Sequence, residues 1–329
     1  MLIFKQVLEA FAVGDAMGMP TEFMTLKMIR NRFGLIDTLI DPSISLIHKN
    51  LKKGQITDDT EQVLYLLETF YEKKGVTVEG TVEGLRRWIE ETHADEKGYI
   101  GPSSLKALKK IQDGENPEKA GTGGTTCGAA MRVLAPALSV EKGNKEKLKE
   151  AIRACSIPTH NTNIALEAAM SLGFGFHTAV MGASFDEILE SILEGAKIGR
   201  EISGNEFVGA STGERIRYAL DKISNLHSPE EVMSFIYDVI GTNMESNEVV
   251  PAAVSIFAYA RDDTWLSIRM GASIGGDTDT IAAISGALSC LYSSGHNIPN
   301  EVVEEVLRIN NLNLERYAKM VQEMLGGKK

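Results

Sequence analysis

The chemistry of this chain concentrates in two short stretches of carboxylates and hydroxyls. One is Gly275-Gly276-Asp277-Thr278-Asp279-Thr280, which runs at once into the apolar, small-residue sequence Ile281 to Leu288. The other is Ile56-Thr57-Asp58-Asp59-Thr60, ahead of a helical pattern carried by Val63, Leu64, Leu66, Leu67 and Phe70. A helix start leaves backbone N–H groups unpaired and favours nearby anions, so either stretch alone reads as a capped helix. The two together ask for more. Asp277 and Asp279 enter an apolar neighbourhood, and no Lys or Arg occurs between Arg269 and Arg308 to pair with them. Hard oxygen donors of this kind suit Mg²⁺ or Mn²⁺, whereas zinc calls for Cys or His. Four carboxylates gathered in one place repel one another unless divalent cations lie between them. The pattern therefore predicts a binuclear hard-metal site assembled from the two ends of the chain.

Helices must do the positioning. Phe4, Val7, Leu8, Phe11 and Ala12 recur at helical spacing and lead into Gly14-Asp15-Ala16-Met17-Gly18-Met19-Pro20-Thr21-Glu22. The small residues there admit close packing, Pro20 stops the helix, and Glu22 falls in the loop beyond. Leu35 to Lys53 is irregular and reads as a loop or a short strand pair. Helical periodicity then returns over Val78 to Thr92 and Leu105 to Ile111, the latter with Ser103 and Ser104 as candidate caps. The glycine-rich stretch Ala120 to Gly128 opens an apolar helix Ala129 to Leu134, with a kink expected at Pro136. This loop lacks the spacings of the common phosphate-binding motifs and no βαβ unit surrounds it, so a phosphate cradle and a plain surface loop both remain open. His160 stands at the start of the helix Asn161 to Thr178, where a neutral cap and a ligand-contacting imidazole both fit. Helices are also expected over 185–202, 214–223, 229–240 and 249–261, and two more over 301–325, broken near Asn310-Asn311. Strand-like alternation is nearly absent. The class is all-α.

Composition narrows the function. The chain has 329 residues and a net charge of −11, which argues against nucleic acid or an anionic membrane as a partner. Cys127, Cys155 and Cys290 form no CxxC pair, so neither a disulfide framework nor a zinc site is indicated and a cytoplasmic location fits. The N-terminal stretch has charges among its apolar positions and reads as the first helix of the fold rather than a signal peptide. No run approaches the roughly 20 apolar residues of a membrane span.

The order Gly14-Asp15-Ala16-x-Gly18-x-Pro20-x-Glu22, Thr57-Asp58-Asp59-Thr60, Gly128-Ala129-Ala130-Met131-Arg132, Thr159-His160 and Gly275 to Thr280 resembles the ADP-ribosylglycohydrolase family. The resemblance implies one all-α, orthogonally packed domain over residues 1–329, with two Mg²⁺ or Mn²⁺ ions in a cleft. It assigns Thr57, Asp58, Asp59, Asp277, Asp279 and Thr280 as ligands, with Asp58 and Asp59 in the catalytic set. It makes Glu22 a ligand or proton carrier, and as a lone acid on a loop Glu22 suits acid–base work. Gly123, Gly124, Thr125, Thr126, Gly128 and His160 would bind the ADP-ribose part. The implied reaction is hydrolysis of a ribosyl C1 N- or O-glycosidic bond, releasing ADP-ribose from a modified acceptor such as a protein, with nucleic acid entering only as a modified substrate. A smaller ribosyl metabolite as substrate and a non-catalytic, crystallin-like role are the alternatives. Two positions depart from the family pattern: Cys127 stands where Asn is usual, and Tyr99 occupies the place of a loop acid.

Overall fold

In a computed structural model that describes residues 1–97, 100–202 and 205–326, the apolar periodicities become helices joined by short loops. The first half of the chain contains α1 (Leu2–Gly18), α2 (Leu26–Phe33), α3 (Asp58–Lys73), α4 (Val78–Thr92), α5 (Ala94–Lys97), α6 (Pro102–Gln112), α7 (Pro117–Ala120), α8 (Gly128–Met131), α9 (Leu134–Ala137) and α10 (Lys145–Ser156). The second half contains α11 (Asn163–Val180), α12 (Phe185–Ile202), α13 (Thr212–Ile223), α14 (Pro229–Phe235), α15 (Ser246–Ala260), α16 (Thr264–Ser273), α17 (Thr278–Ser293), α18 (Asn300–Ile309) and α19 (Leu314–Met324). Among the described residues there is no sheet, and an isolated antiparallel bridge joins Thr126 to Glu245.

Two helices that are apolar nearly all round, α1 and α17, cross at the centre. Every residue from Thr278 to Leu291 is buried, as is every residue of α1 from Val7 to Gly18. Glycine makes the crossing possible. A Cβ on Gly14 would lie 2.6 Å from the backbone of Ala282, and one on Gly18 would lie 2.3 Å from the Thr278 carbonyl oxygen. From α16, Gly271 approaches the same turn of α17, where a Cβ would sit 2.4 Å from the Ala282 Cα. The crossing brings the end of α1, which precedes Glu22, against the start of α17, which carries Asp277 and Asp279. Amphipathic helices such as α13, α18 and α19 wrap this centre with one buried face each.

Several boundaries differ from the sequence expectation for local reasons. Helix α6 starts at Pro102, because proline at the first helical position has the right φ and lacks only an N–H that would be unpaired there anyway. Ser103 and Ser104 consequently lie inside its first turn. Residues 35–53 form a loop with one 3₁₀ turn, Pro42–Ile44, capped by Asp41, and no strand pair. The expected kink at Pro136 is a full break: α8 and α9 are separate turns, and the Arg132 carbonyl, which proline cannot satisfy, accepts from the Ala135 N–H at 3.1 Å.

Candidate metal centre

The first acidic stretch is held by a residue distant in sequence. Thr57 is the N-cap of α3, yet its side chain makes no capping bond to its own helix. The cap is supplied instead by Asp15 at the end of α1. Asp15 is fully buried and accepts from the Thr57 N–H at 3.0 Å, the Thr57 hydroxyl at 2.8 Å, the Thr60 N–H at 3.1 Å and the Thr60 hydroxyl at 2.6 Å. Burial still dominates these bonds and pushes the Asp15 carboxyl up to about 6. With its helix start pinned, Asp58 and Asp59 project from the first turn of α3 into a cleft.

The second stretch is delivered by a turn that only glycine permits. Gly275 and Gly276 have φ of 85° and 81°, and a Cβ on Gly276 would lie 2.0 Å from the Thr242 carbonyl oxygen. Asp277 caps α17 through its backbone position while its side chain makes no capping bond, so the carboxylate is free to face the cleft. The Thr278 hydroxyl donates to the Gly18 carbonyl at 2.8 Å and the Thr21 hydroxyl to the Ala272 carbonyl at 2.8 Å, which fastens the turn to the end of α1.

Between the two stretches lies a cavity of about 280 Å³. It is lined by the polar side chains of Glu22, His48, Asp58, Asp59, Asp277, Asp279 and Thr280, by the apolar side chains of Phe23, Ile47, Ile100, Met131 and Met244, and by Thr126, Cys127 and Gly128. No lining residue is Lys or Arg. Asp58, Asp59, Asp277 and Asp279 are 8%, 2%, 3% and 4% exposed, so the acids are buried together without a cationic side chain on the wall. Burial first, and then the charges of neighbouring acids, holds Asp58, Asp59 and Asp279 well above the usual carboxylate range. Burial also raises Glu22, against the hydrogen bond from His48.

Partners within the cluster leave an acceptor unfilled. The Thr280 hydroxyl donates to Asp59 Oδ2 at 3.3 Å, and the Thr280 N–H donates to Asp279 Oδ1 at 3.0 Å. Asp59 Oδ1, however, is buried with no hydrogen-bond partner. An orphaned, buried carboxylate oxygen in a ring of acids is an acceptor left open to a cation. Glu22, His48 and Asp279 each offer a ligand atom within 4.8 Å of the others, a group able to hold a metal ion. The carboxylates and the Thr280 hydroxyl are hard oxygen donors, which fit Mg²⁺ or Mn²⁺, with the His48 nitrogen and the Cys127 sulfur beside them.

Glu22 is therefore not the lone acid its loop position suggests. His48 Nε2 stands 2.5 Å from Glu22 Oε2. His48 on Glu22 and Asp15 on Thr57 and Thr60 are contacts the local sequence does not reveal, although Asp15 stands within the first quoted motif.

The glycine-rich loop is divided between two spaces. Thr126 and Gly128 reach the cleft, whereas Gly123 and Gly124 line a second cavity, of about 450 Å³, together with Lys106, Lys110 and Phe207. The Thr125 carbonyl accepts from the Ser246 N–H at 3.0 Å. Thr57 is fully buried against Asp15 and is not on the cleft wall. His160 lies two residues before the Thr162 cap of α11, fully buried behind the loop. A Cβ on Gly128 would lie 2.6 Å from the His160 ring, so the loop packs directly on it. Burial and the Arg132 charge hold this imidazole well below its usual value, hence neutral. Buried Arg132 donates to Thr159 Oγ1 at 2.5 Å, Thr159 Oγ1 is hydrogen-bonded to His160 Nδ1 at 2.7 Å, and His160 Nε2 is hydrogen-bonded to Thr126 Oγ1 at 3.0 Å, so both ring nitrogens are partnered. Arg132 also donates to Gln62 Oε1 at 3.3 Å, and Gln62 donates to Asp58 Oδ2 at 3.2 Å. One buried network thus joins the acidic cluster to the loop. Cys127 Sγ donates to Asp277 Oδ2 at 3.0 Å, and burial beside two acids keeps the thiol protonated. Tyr99 lies outside the described residues.

A family model described as ADP-ribosylglycohydrolase matches residues 4–328. A protein of Archaeoglobus fulgidus is 32% identical over 302 residues, covering 92% of this chain and 90% of the relative. A glycohydrolase of Rhodospirillum rubrum, named for ADP-ribosyl-dinitrogen reductase, is 30% identical over 172 residues, covering 52% of this chain and 55% of its own. A solved structure described as an ADP-ribosylglycohydrolase-related protein complex superposes with a TM-score of 0.68 at 23% identity, covering 98% of this chain and 96% of that one, a likeness of fold. No helix among the described residues is long and apolar enough to cross a membrane.

Proposed function

The chain belongs to the ADP-ribosylglycohydrolase family, and from that premise we propose that it is a divalent-cation-dependent hydrolase that releases ADP-ribose from a modified acceptor by breaking the ribosyl C1 bond. The observation that carries this reading is the buried ring of acids with Asp59 Oδ1 unpartnered and no Lys or Arg on the cleft wall. Asp58, Asp59, Asp277 and Asp279, with the hydroxyl of Thr280, would hold two Mg²⁺ or Mn²⁺ ions, while the Thr57 hydroxyl, expected from the resemblance as a ligand, is turned away from the cleft to Asp15. Bound there, the ions would supply Lewis acidity at the ribose hydroxyls and acidify water.

The chain's own residues do the rest. Glu22 sits at the cleft wall with an affinity for protons raised by burial, which places it nearer neutral pH and suits it to move a proton at C1. His48 orients it. Phe23, Ile47, Ile100, Met131 and Met244 keep bulk water from the reacting bond. Backbone N–H groups of the loop at Gly123, Thr125, Thr126 and Gly128 would meet the diphosphate, with the Gly124 N–H spent on the Gly121 carbonyl at 3.1 Å to shape the loop and His160 holding it from behind. Three free, buried cysteines accord with a reducing cytoplasm.

A panel of ADP-ribosylated proteins, nucleic acids and small ribosyl conjugates, incubated with and without Mg²⁺ or Mn²⁺, tests the proposal. Metal-dependent release of ADP-ribose is expected; no release from any conjugate refutes it. One observation favours a smaller N- or O-ribosyl metabolite as a second reading: the 280 Å³ cleft is lined by Thr126, Cys127 and Gly128 but not by Gly123 and Gly124, which border the neighbouring cavity across Pro102, so the cleft by itself would suit a ribosyl group without an adenylate. Free ribose released from small conjugates, without ADP-ribose release from any, would select that reading.

A further inference from the structure

Cys127 is the cleft residue to which hydrolysis gives no task. Its backbone is fixed: the N–H donates to the Met244 carbonyl at 2.8 Å, and Gly128 behind it is packed on the His160 ring. Its Sγ faces the acidic wall, 3.0 Å from Asp277 Oδ2 and 3.9 Å from Thr280 Oγ1. Asp59, only 2% exposed, lines the same cleft with Oδ1 unpartnered. A sulfur and two carboxylates thus border one space. Around a tetrahedral ion with sulfur at about 2.3 Å and oxygen at about 2.0 Å, the two donor atoms stand about 3.5 Å apart. Sγ and Asp277 Oδ2 stand 3.0 Å apart, within about 0.5 Å of that value. Cys155 and Cys290 do not line the cleft.

We propose that Cys127 adds a sulfur donor to the centre, so that this chain takes thiophilic divalent ions of the Zn²⁺ and Cd²⁺ class more tightly than an all-oxygen site would. The proposal rests on the reading of the cleft as a cation centre. Coordination exchanges the S–H bond for an S–metal bond and releases one proton to solvent, with no change of oxidation state. Thiolate prefers soft ions, whereas Mg²⁺ and Mn²⁺ are served by the carboxylates alone, so the sulfur changes which ions the site prefers.

Cd²⁺ titrated into the metal-free 329-residue chain tests this, with the ultraviolet thiolate-to-cadmium charge-transfer band as one readout and heat of binding as the other. The wild type should develop the band as Cd²⁺ binds. Cys127→Ser should abolish the band and weaken Cd²⁺ binding at least about tenfold, while Mn²⁺ affinity changes by less than about threefold. The ¹¹³Cd NMR shift of the wild type reads the presence of a sulfur ligand without any variant, which covers the case of a variant that does not fold. Cd²⁺ binding without a band or a sulfur-type shift, or a band of equal strength in Cys127→Ser, overturns the proposal and leaves the cation centre standing. Failure of both Cd²⁺ and Mn²⁺ to bind overturns the two together.

Discussion

Glu22 and His48 are 26 residues apart in sequence and 2.5 Å apart in space. The His48 hydrogen bond opposes the upward push of burial on Glu22, so its removal lets the carboxyl rise further. In His48→Ala, the limb of the kcat/KM profile governed by Glu22 should move to higher pH, and activity at neutral pH should fall about tenfold or more. A profile that keeps its position would show that His48 does not act on Glu22. For Asp58 the expectation is a split between activity and stability. Asp58 is held protonation-prone by burial and by the charges of Glu22 and Asp15. Asp58→Ala should cut cation affinity by more than about 100-fold and abolish hydrolysis, while the metal-free fold melts no lower, because a buried like charge is gone. Calorimetry with Mn²⁺ and thermal melts check both. The carboxylates themselves were legible in the sequence as two Asp-Thr stretches. Their partners were not: Asp15 capping α3, His48 on Glu22 and Arg132 reaching Asp58 through Gln62 are contacts across the fold, and no local pattern encodes them.

Helix identity was readable wherever the signal is local. The break near Asn310-Asn311 falls between α18 and α19, and the turn at Gly275-Gly276 precedes α17. Starts were less readable where a proline or a distant cap sets them, as at Pro102 and Thr57. The element that matters most to the site is the α1–α17 crossing, because it sets the distance between Glu22 and the second acidic stretch. Gly18→Ala tests it: the new Cβ would meet the Thr278 carbonyl at 2.3 Å, and backbone cannot swing aside as a flexible side chain can. Loss of about 1–3 kcal/mol is expected, with weaker Mn²⁺ binding. Gly75, where a Cβ meets nothing within 4 Å, is the control, and Gly75→Ala should stay within about 0.5 kcal/mol of the parent. Equal behaviour of the two variants in denaturant melts would remove the crossing from the account.

For the whole molecule, the acids tie stability to pH and to cations. Asp58, Asp59 and Asp279 have folded values raised above the unfolded carboxylate value of about 3.9, and Asp15 is raised to about 6. A raised folded value means stability that is fully present below the unfolded value and lost as pH rises through the folded one. The metal-free protein should therefore lose stability from about pH 4 toward neutrality through these groups. Cations bind the ionised acids and reverse the loss. The stabilisation by Mn²⁺ should grow with pH, reaching about 2.7 kcal/mol at 100 times the dissociation constant. A Mn²⁺ effect on the melting temperature that is the same from acid to neutral pH would contradict this linkage. The most direct test of the centre itself is anomalous diffraction from crystals of the protein grown or soaked with Mn²⁺. The account predicts strong anomalous peaks in the cleft, about 2.0–2.2 Å from carboxylate oxygens of Asp58, Asp59, Asp277 and Asp279; a cleft without an anomalous peak at saturating Mn²⁺ would contradict it.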